Sequence, residues 1–408
     1  MNKEGEQMKY LELKRLQQKS KEMQKCLFGA GSVGCTWAYD ILTAVGFSID
    51  FFCDNKKEEN VVIRDEVKTI SLQNLYSLQD DVLVFITATD KYQDSIFFQL
   101  KQNGIKNIVK VDYLFLQIFI ESLLFMDDEK INKKFAFILN DAEYISQRFQ
   151  YFIGYRPNLD KPRTFNEKLQ WLKLYDYRKE YTQLVDKYLV RQYVKERIGD
   201  EYLAPMLGIW NRFEEIDFEK LPEKFVLKCT HDSGSMVVCK NREKFQKEKV
   251  QRFLESRLQM NYFWVGREKP YKDVERKIIA EKFLEGKNGK LIDYKFLCAN
   301  GKTKYIFTCS DRNTENGLHV NFYRTDWSPL PFERHYPKQK REIEKPVQLE
   351  EMIGLAEKLA EGIKFVRVDF YLIDEKIYFS ELTFYPGGGV EEFTPEEWDY
   401  ELGKIIEI

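Results

Sequence analysis

The sequence predicts an α/β chain of two unlike units, a helix-wound parallel sheet followed by a larger, strand-rich α+β unit. Three observations point there. KCLFGAGSVG runs an apolar strand into a glycine turn, and strands and helices then alternate as far as IKNIVKV, which ends at Val111. Beyond Pro205 the chain is strand-rich, and several of its runs alternate with a period near two. The composition (408 residues, 43% hydrophobic, 15% aromatic) suits folded domains, two or three by length, and excludes a disordered or collagen-like chain.

Charge and cysteine content narrow the function classes. Lys and Arg total 64 against 66 Asp and Glu, a net charge of −2, which argues against bulk nucleic-acid binding. The seven cysteines are scattered without a CxxC pair, mostly in apolar runs, as expected of thiols in a reducing compartment. The first two dozen residues lack the apolar core of a signal peptide, and the apolar stretch around Tyr113–Met126 is interrupted by Gln117 and Glu121. The expectation is a cytoplasmic protein with no integral membrane segment.

In order along the chain, residues 1–22 read as a charged helix. Residues 23–115 form the first unit, with strands at KCLF, SIDFFCDN, DVLVFITATD and IKNIVKV, and helices at CTWAYDILTAVG and KYQDSIFFQLKQNG. Residues 116–160 read as an amphipathic helical connector ending at Gly154 and Pro157. Residues 161–408 form the second unit. A polar, helix-rich stretch leads to strands at FVLKCT, SMVVCK, KIIAEKFL, DYKFLCANGKTKYIFTCS, FVRVDFYLI and KIYFSEL.

Gly29, Gly31 and Gly34 form GxGxxG between a strand and a helix, and Asp54 closes the second strand about twenty residues on. Such a turn brings backbone close to a phosphate at a helix N-terminus, and the aspartate accepts from a ribose hydroxyl. The alternative is that these glycines only let strand and helix pack closely. The stretch resembles the Rossmann-like domains at the N-terminus of sugar-modifying and capsule-biosynthesis proteins. That resemblance implies a nucleotide-sugar or an NAD-like dinucleotide as ligand. No Tyr-xxx-Lys set accompanies the turn, so dehydrogenase chemistry is not expected.

The sharper signal is FVRVDFYLIDEKIYFSELTFYPGGG. Two strands joined at Asp374–Glu375 bring Asp369 and Glu381 to one face as hard oxygen ligands for Mg²⁺, with a nucleotide's phosphates completing the shell. Arg367 shares that face by alternation and would neutralise a transferring phosphoryl group or an acyl phosphate. A solvated hairpin with incidental acids is the plainer reading. The dense apolar flanks oppose it, because buried charges need partners.

Upstream, Lys228 ends a strand, and His231, Ser233, Gly234 and Ser235 belong to a loop able to fold over a triphosphate. His231 reads equally well as a hydrogen-bonded loop histidine, and Lys240 as a surface lysine. In IIAEKFLEG, Glu281 or the backbone at Phe283 and Leu284 are candidates for an adenine edge. Asp293 and Lys295 alternate onto one strand face toward ribose or phosphate, and Arg312 is a further anion ligand.

In this order, FNEKLQWLKLYD, DKYLVRQYV, LPEKFVLKCTHDSGS, DYKFLCANGK, SDRN and FVRVDFY…YFSELTFYPGGG resemble the ATP-grasp fold, and in particular the TupA-like (teichuronopeptide-biosynthesis-type) ATP-grasp proteins. The resemblance implies that Lys187 and Lys228 contact ATP phosphates under the His231–Ser235 loop, and that Glu281 and Leu284 meet adenine. It further implies that Asp369 and Glu381 hold Mg²⁺ and that Arg367 stabilises an acyl-phosphate intermediate. Thr383 stands where many ATP-grasp enzymes place a metal-binding Asn, as it does in TupA-like ELT motifs. The activity implied is ATP-dependent joining of a small-molecule carboxylate and an amine, sugar- or polymer-linked, in capsular or cell-surface polymer biosynthesis. A kinase or other transferase acting on a sugar, and a nucleotide-sensing scaffold, are the alternatives.

Overall fold

The structure is a computed structural model. It describes residues 15–30, 38–44, 46–88, 90–111, 141–286, 292–311, 317–339, 341 and 343–408. The chain divides into two compact units, residues 1–144 and 145–408. Most of the expected connector, most of the expected N-terminal helix, and Gly31, Gly34 and Arg312 lie outside the described residues.

The first unit contains β1 (Gln24–Phe28), β2 (Phe51–Cys53), β3 (Val62–Arg64), β4 (Val67–Lys68), β5 (Val82–Ile86) and β6 (Asn107–Lys110). Four of these make a parallel sheet in the order β2-β1-β5-β6, and β3 and β4 form a separate hairpin. β5, VLVFI, is buried at every position, the continuous apolar run expected of a strand covered on both faces. Cys26, Phe28, Val84, Ile86 and Leu100 meet in its core.

The second unit holds two antiparallel sheets. The smaller comprises β7 (Met206–Trp210), β8 (Phe225–Cys229), β9 (Val237–Cys239) and β10 (Ile278–Lys282), in the order β7-β10-β8-β9. The larger begins with β11 (Asp293–Ala299), β12 (Lys302–Ser310) and β13 (His319–Tyr323). The short β14 (Glu333–Arg334) follows, then β15 (Phe365–Ile373) and β16 (Lys376–Thr383), and β17 (Phe393–Thr394) pairs back onto β14. The larger sheet runs β13-β12-β11-β15-β16. The sequence reading found neither β7 nor β13, and overlooked the β14–β17 pair.

Two helices brace the larger sheet. Leu349–Ala360 buries Met352, Leu355, Ala356, Leu359 and Ala360, a helical stripe that joins the sheet's core. Phe165–Tyr175 starts at a capping box, in which Thr164 Oγ1 accepts from Glu167 N and Glu167 Oε2 accepts from Thr164 N. Its residues Asn166, Gln170 and Lys173 fall on one face by their spacing. Asn166 binds Asp399, while Gln170 and Lys173 bind the backbone at Gly388 and Gly389.

Candidate functional site

Strand register builds the heart of the site. Lys295 on β11 lies directly opposite Asp369 on β15, and Asp369 lies opposite Glu381 on β16. Three adjacent strands therefore place a cation and two carboxylates in one row. Arg367, two residues before Asp369, shares their face. Its Nε donates to Asp369 Oδ1 at 2.7 Å, and its Nη2 bridges Asp369 Oδ2 at 2.6 Å and Glu381 Oε1 at 2.7 Å. Lys295 forms an ion pair with Asp369 and lies 4.0 Å from Asp293. Thr383 Oγ1 donates to Glu381 Oε1 at 3.0 Å.

Electrostatics follow from this packing. Burial pushes the Glu381 carboxyl up, but the charges of Arg367, Lys295 and Lys187 outweigh it and bring the group down to about 2. Asp369 is only 1% exposed, so its charge is tolerated because two cations contact it. Two carboxylates and a hydroxyl, all hard oxygen donors, suit Mg²⁺, which keeps several water or phosphate ligands of its own. Among the described residues there is no group of three or more His, Cys, Asp or Glu side chains arranged to hold a metal.

The row opens onto a cavity of ≈ 240 Å³ lined by Arg367, Glu381 and Thr383, and by Lys187, Asp232 and Ser233. Lys187 Nζ donates to Cys229 O at 2.9 Å and to Asp232 O. Burial holds its ammonium below the usual lysine range.

The loop after β8 departs from the flexible cover expected of it. His231, Asp232 and Ser235 are buried, and only Ser233 and Gly234 form an exposed tip. Ser235 Oγ accepts from Cys229 N at 2.9 Å and donates to Asp232 Oδ1 at 2.5 Å, while Arg257 Nε donates to Asp232 Oδ2 at 2.6 Å. His231 Nε2 lies 3.0 Å from Arg257 O, and burial brings its imidazole down to about 4. The side chains of His231 and Ser235 thus anchor the loop through these contacts.

On the smaller sheet Lys228 and Glu281 share a face, since Lys228 pairs with Ile279 and Glu281 with Val226. Glu281 forms ion pairs with Lys228 at 2.6 Å and Arg191 at 3.0 Å, so its carboxylate bridges two cations instead of standing open toward an adenine edge. Lys228 does not line the cavity either. Phe283 and Leu284 follow β10 in a half-buried segment, and the exposed Lys240 places its ammonium 5.5 Å from the Phe283 ring centroid.

Several lining residues carried no recognised signal: Arg148, Tyr262, Glu268, Tyr271, Tyr385 and the glycine turn after β16. Arg148, Tyr262, Glu268 and Tyr271 lie far from the row in sequence, whereas Tyr385 and the glycine turn follow β16 directly. The one available cue was PGGG, where Gly387 and Gly388 both adopt φ +61° and a Cβ on Gly388 would stand 3.3 Å from Arg148 Nη1.

In the first unit, Gly29 adopts φ +115°, and an added Cβ would come within 3.1 Å of Ala88 N. Asp54 accepts from Ala30 N and Lys56 N, each at 2.9 Å. Close packing of the turn against the end of β5 accounts for the glycine, and the aspartate ties the turn to β2.

With this geometry in place, comparison with known proteins adds a family. A family described as TupA-like ATPgrasp matches residues 167–407. No curated protein matches the chain. Among solved structures it is similar to the D-alanine–D-alanine ligase of Bacillus anthracis (12% identity, 94% of this chain and 96% of that one, TM-score 0.30). It is likewise similar to the enzyme of that name from Helicobacter pylori (14%, 94% and 100%, 0.30) and to the D-cycloserine synthetase DcsG (11%, 89% and 91%, 0.29).

Proposed function

The chain belongs to the TupA-like ATP-grasp family, and from that premise we propose that it is an ATP-dependent carboxylate–amine ligase. The observation that carries the reading is the Lys295–Asp369–Glu381 row with Arg367 bridging its acids, facing Lys187 across one cavity. Lys187 and Lys228 would take the phosphates of ATP, Lys228 exchanging its contact with Glu281 for the nucleotide. The Phe283–Leu284 backbone would meet adenine beneath the Ser233–Gly234 tip. Asp369, Glu381 and Thr383 would hold Mg²⁺, which when bound offsets phosphate charge.

Arg367 and Lys295 then keep the site cationic where a carboxylate and a phosphate must approach one another. An acyl phosphate formed there needs no protein nucleophile to be attacked by an amine, because positioning and charge lower the barrier. Among the described residues no helix is long and apolar enough to cross a membrane. A role in capsular or cell-surface polymer assembly is the finer part of the proposal and is inherited from the family resemblance.

The test is ADP and phosphate release with an acid and an amine supplied singly and together. The ligase reading expects release only when both are present, and an amide by mass spectrometry. A phosphate ester would replace it with a sugar kinase. Undiminished turnover by protein carrying both Asp369→Ala and Glu381→Ala would remove the site assignment.

A further inference from the structure

One face of the helix Phe165–Tyr175 is both polar and buried, with Asn166, Gln170 and Lys173 about a turn apart along it. All three reach the glycine turn after β16. Asn166 Nδ2 donates to Glu391 O at 2.8 Å, and Lys173 Nζ to Gly388 O at 2.7 Å. Gln170 Nε2 donates to Gly389 O at 2.6 Å and to Gly388 O at 3.1 Å. The buried Arg334 of β14 adds Nη2 to Pro386 O at 2.8 Å. The carbonyls of Pro386, Gly388, Gly389 and Glu391 are thus each met by a buried side-chain donor.

The turn needs such holding. Gly387, Gly388 and Gly389 adopt φ of +61°, +61° and +65°, and glycine loses more freedom on being fixed than any other residue. The helix also comes too close for anything larger: a Cβ on Gly389 would meet the Gln170 amide and stand 2.9 Å from Leu169 Cβ. Stability alone does not ask for these donors. Burial pushes the Lys173 ammonium down from the usual lysine range, with the charge of Glu268 only partly restoring it. Apolar side chains would fill the same volume at lower desolvation cost. What the donors secure is position. Tyr385, Gly387 and Gly388 line the cavity directly after the strand that carries Glu381 and Thr383.

Resting on the ligase reading, we propose that Gln170 and Lys173 are positioning residues of the reaction. They clamp the Pro386–Gly389 turn, so that the cavity wall beside Glu381 and Thr383 keeps one shape while acid and amine are joined. Neither side chain lines the cavity, so each acts through the turn.

Lys173→Met is the sharpest probe, because Gly388 O keeps Gln170 and Glu268 keeps the charge of Arg148. Its denaturation midpoint is expected at or above that of wild type. Turnover with acid and amine falls by about tenfold to a hundredfold, up to the scale of a ~1 Å misplacement. The KM for Mg·ATP stays within about twofold. Lys173→Gln keeps an N–H donor and regains part of the turnover. Hydrogen exchange at residues 386–391 is faster in Lys173→Met than in wild type.

Turnover by Lys173→Met within about threefold of wild type overturns the proposal. So does a loss that tracks the denaturation midpoint, or one that Lys173→Gln does not relieve. A raised KM for Mg·ATP at unchanged kcat would tie the clamp to the nucleotide and overturns it too. If wild type releases no ADP with any acid and amine, the ligase reading fails, and exchange at residues 386–391 still judges the clamp. Unchanged exchange in Lys173→Met removes it.

Discussion

Asp54, directly after β2 in the first unit, and Asp369, on β15 in the second, are both aspartates that the sequence marks for ligands, yet their partners differ in kind. Asp54 accepts from backbone amides two and twenty-four residues away, binding β2 to the turn after β1. Asp369 meets Arg367 and Lys295, the latter seventy-four residues away, and all three are charged. A carboxylate that accepts from backbone amides is explained by local folding. Charges gathered from three strands against a cavity are not, since apolar residues would fill the same volume at lower desolvation cost. On the proposed reading, the contrast is between a turn tied by its own backbone amides and a charged row that takes a ligand.

The largest effect that bears on this contrast is expected at Asp369. Asp369→Ala removes the carboxylate that Arg367 and Lys295 share, leaving Arg367 only Glu381, at a cost of about 3–5 kcal/mol, and is expected to abolish ADP release. Chemical denaturation and a coupled ADP assay measure the two losses. Asp369→Asn keeps the shape and some hydrogen bonds, so it should fold better than the alanine variant while remaining inactive. Arg367→Met removes the bridge between the acids and is expected to lower turnover by about 10²–10³, the scale of losing one preorganised donor at developing charge. Turnover within threefold of wild type would return Arg367 to a structural role.

His231 tests whether the loop after β8 is an anchor. Its imidazole is pushed from 6.5 to about 4, by burial first. The unfolded chain therefore binds the proton more readily, so His231's stabilising contribution is complete above pH 6.5 and is lost as pH falls toward 4. The full excursion is about 3 kcal/mol. Denaturation midpoints measured across that window should fall with acid for wild type and fall less for His231→Phe. Parallel curves would mean that the ring titrates freely. Glu381 acts in a lower window. Its stabilisation is present above about pH 4.5 and is lost toward pH 2, and for a side chain 43% exposed it amounts to about 1 kcal/mol after screening.

How much of this could be read from the sequence depends on distance along the chain. The row was legible because Asp369, Glu381 and Arg367 sit on one hairpin, where alternation alone puts them on one face, and Lys295 repeats that spacing on the next strand. The parallel sheet was legible from its apolar runs. β7 escaped because MLGIW has no alternation, and β14 and β17 because two-residue strands carry no period. Arg148 and Glu268 escaped for a deeper reason: they meet only through tertiary packing around PGGG. Side-chain satisfaction was equally hidden. That Glu281 spends its carboxylate on Lys228 and Arg191, and Ser235 its hydroxyl on Asp232, follows from strand register and loop path, not from residue type.

The smallest effect is expected where the glycine turn is ordinary architecture. Asp54→Asn keeps one carbonyl oxygen to accept from Ala30 N but exchanges a charge-assisted bond for a neutral one, so it should lower stability by about 1 kcal/mol. ADP release should be unchanged, because the charged row lies wholly within residues 145–408. Gly29→Ala should cost more, since φ +115° is strained for any side chain and the new Cβ would press on Ala88 N at 3.1 Å. Both changes are read as shifts of the denaturation midpoint beside unaltered KM for ATP. If Asp54→Asn instead changes KM for one substrate while stability holds, the aspartate serves a ligand after all, and the two regions are more alike than their hydrogen bonds imply.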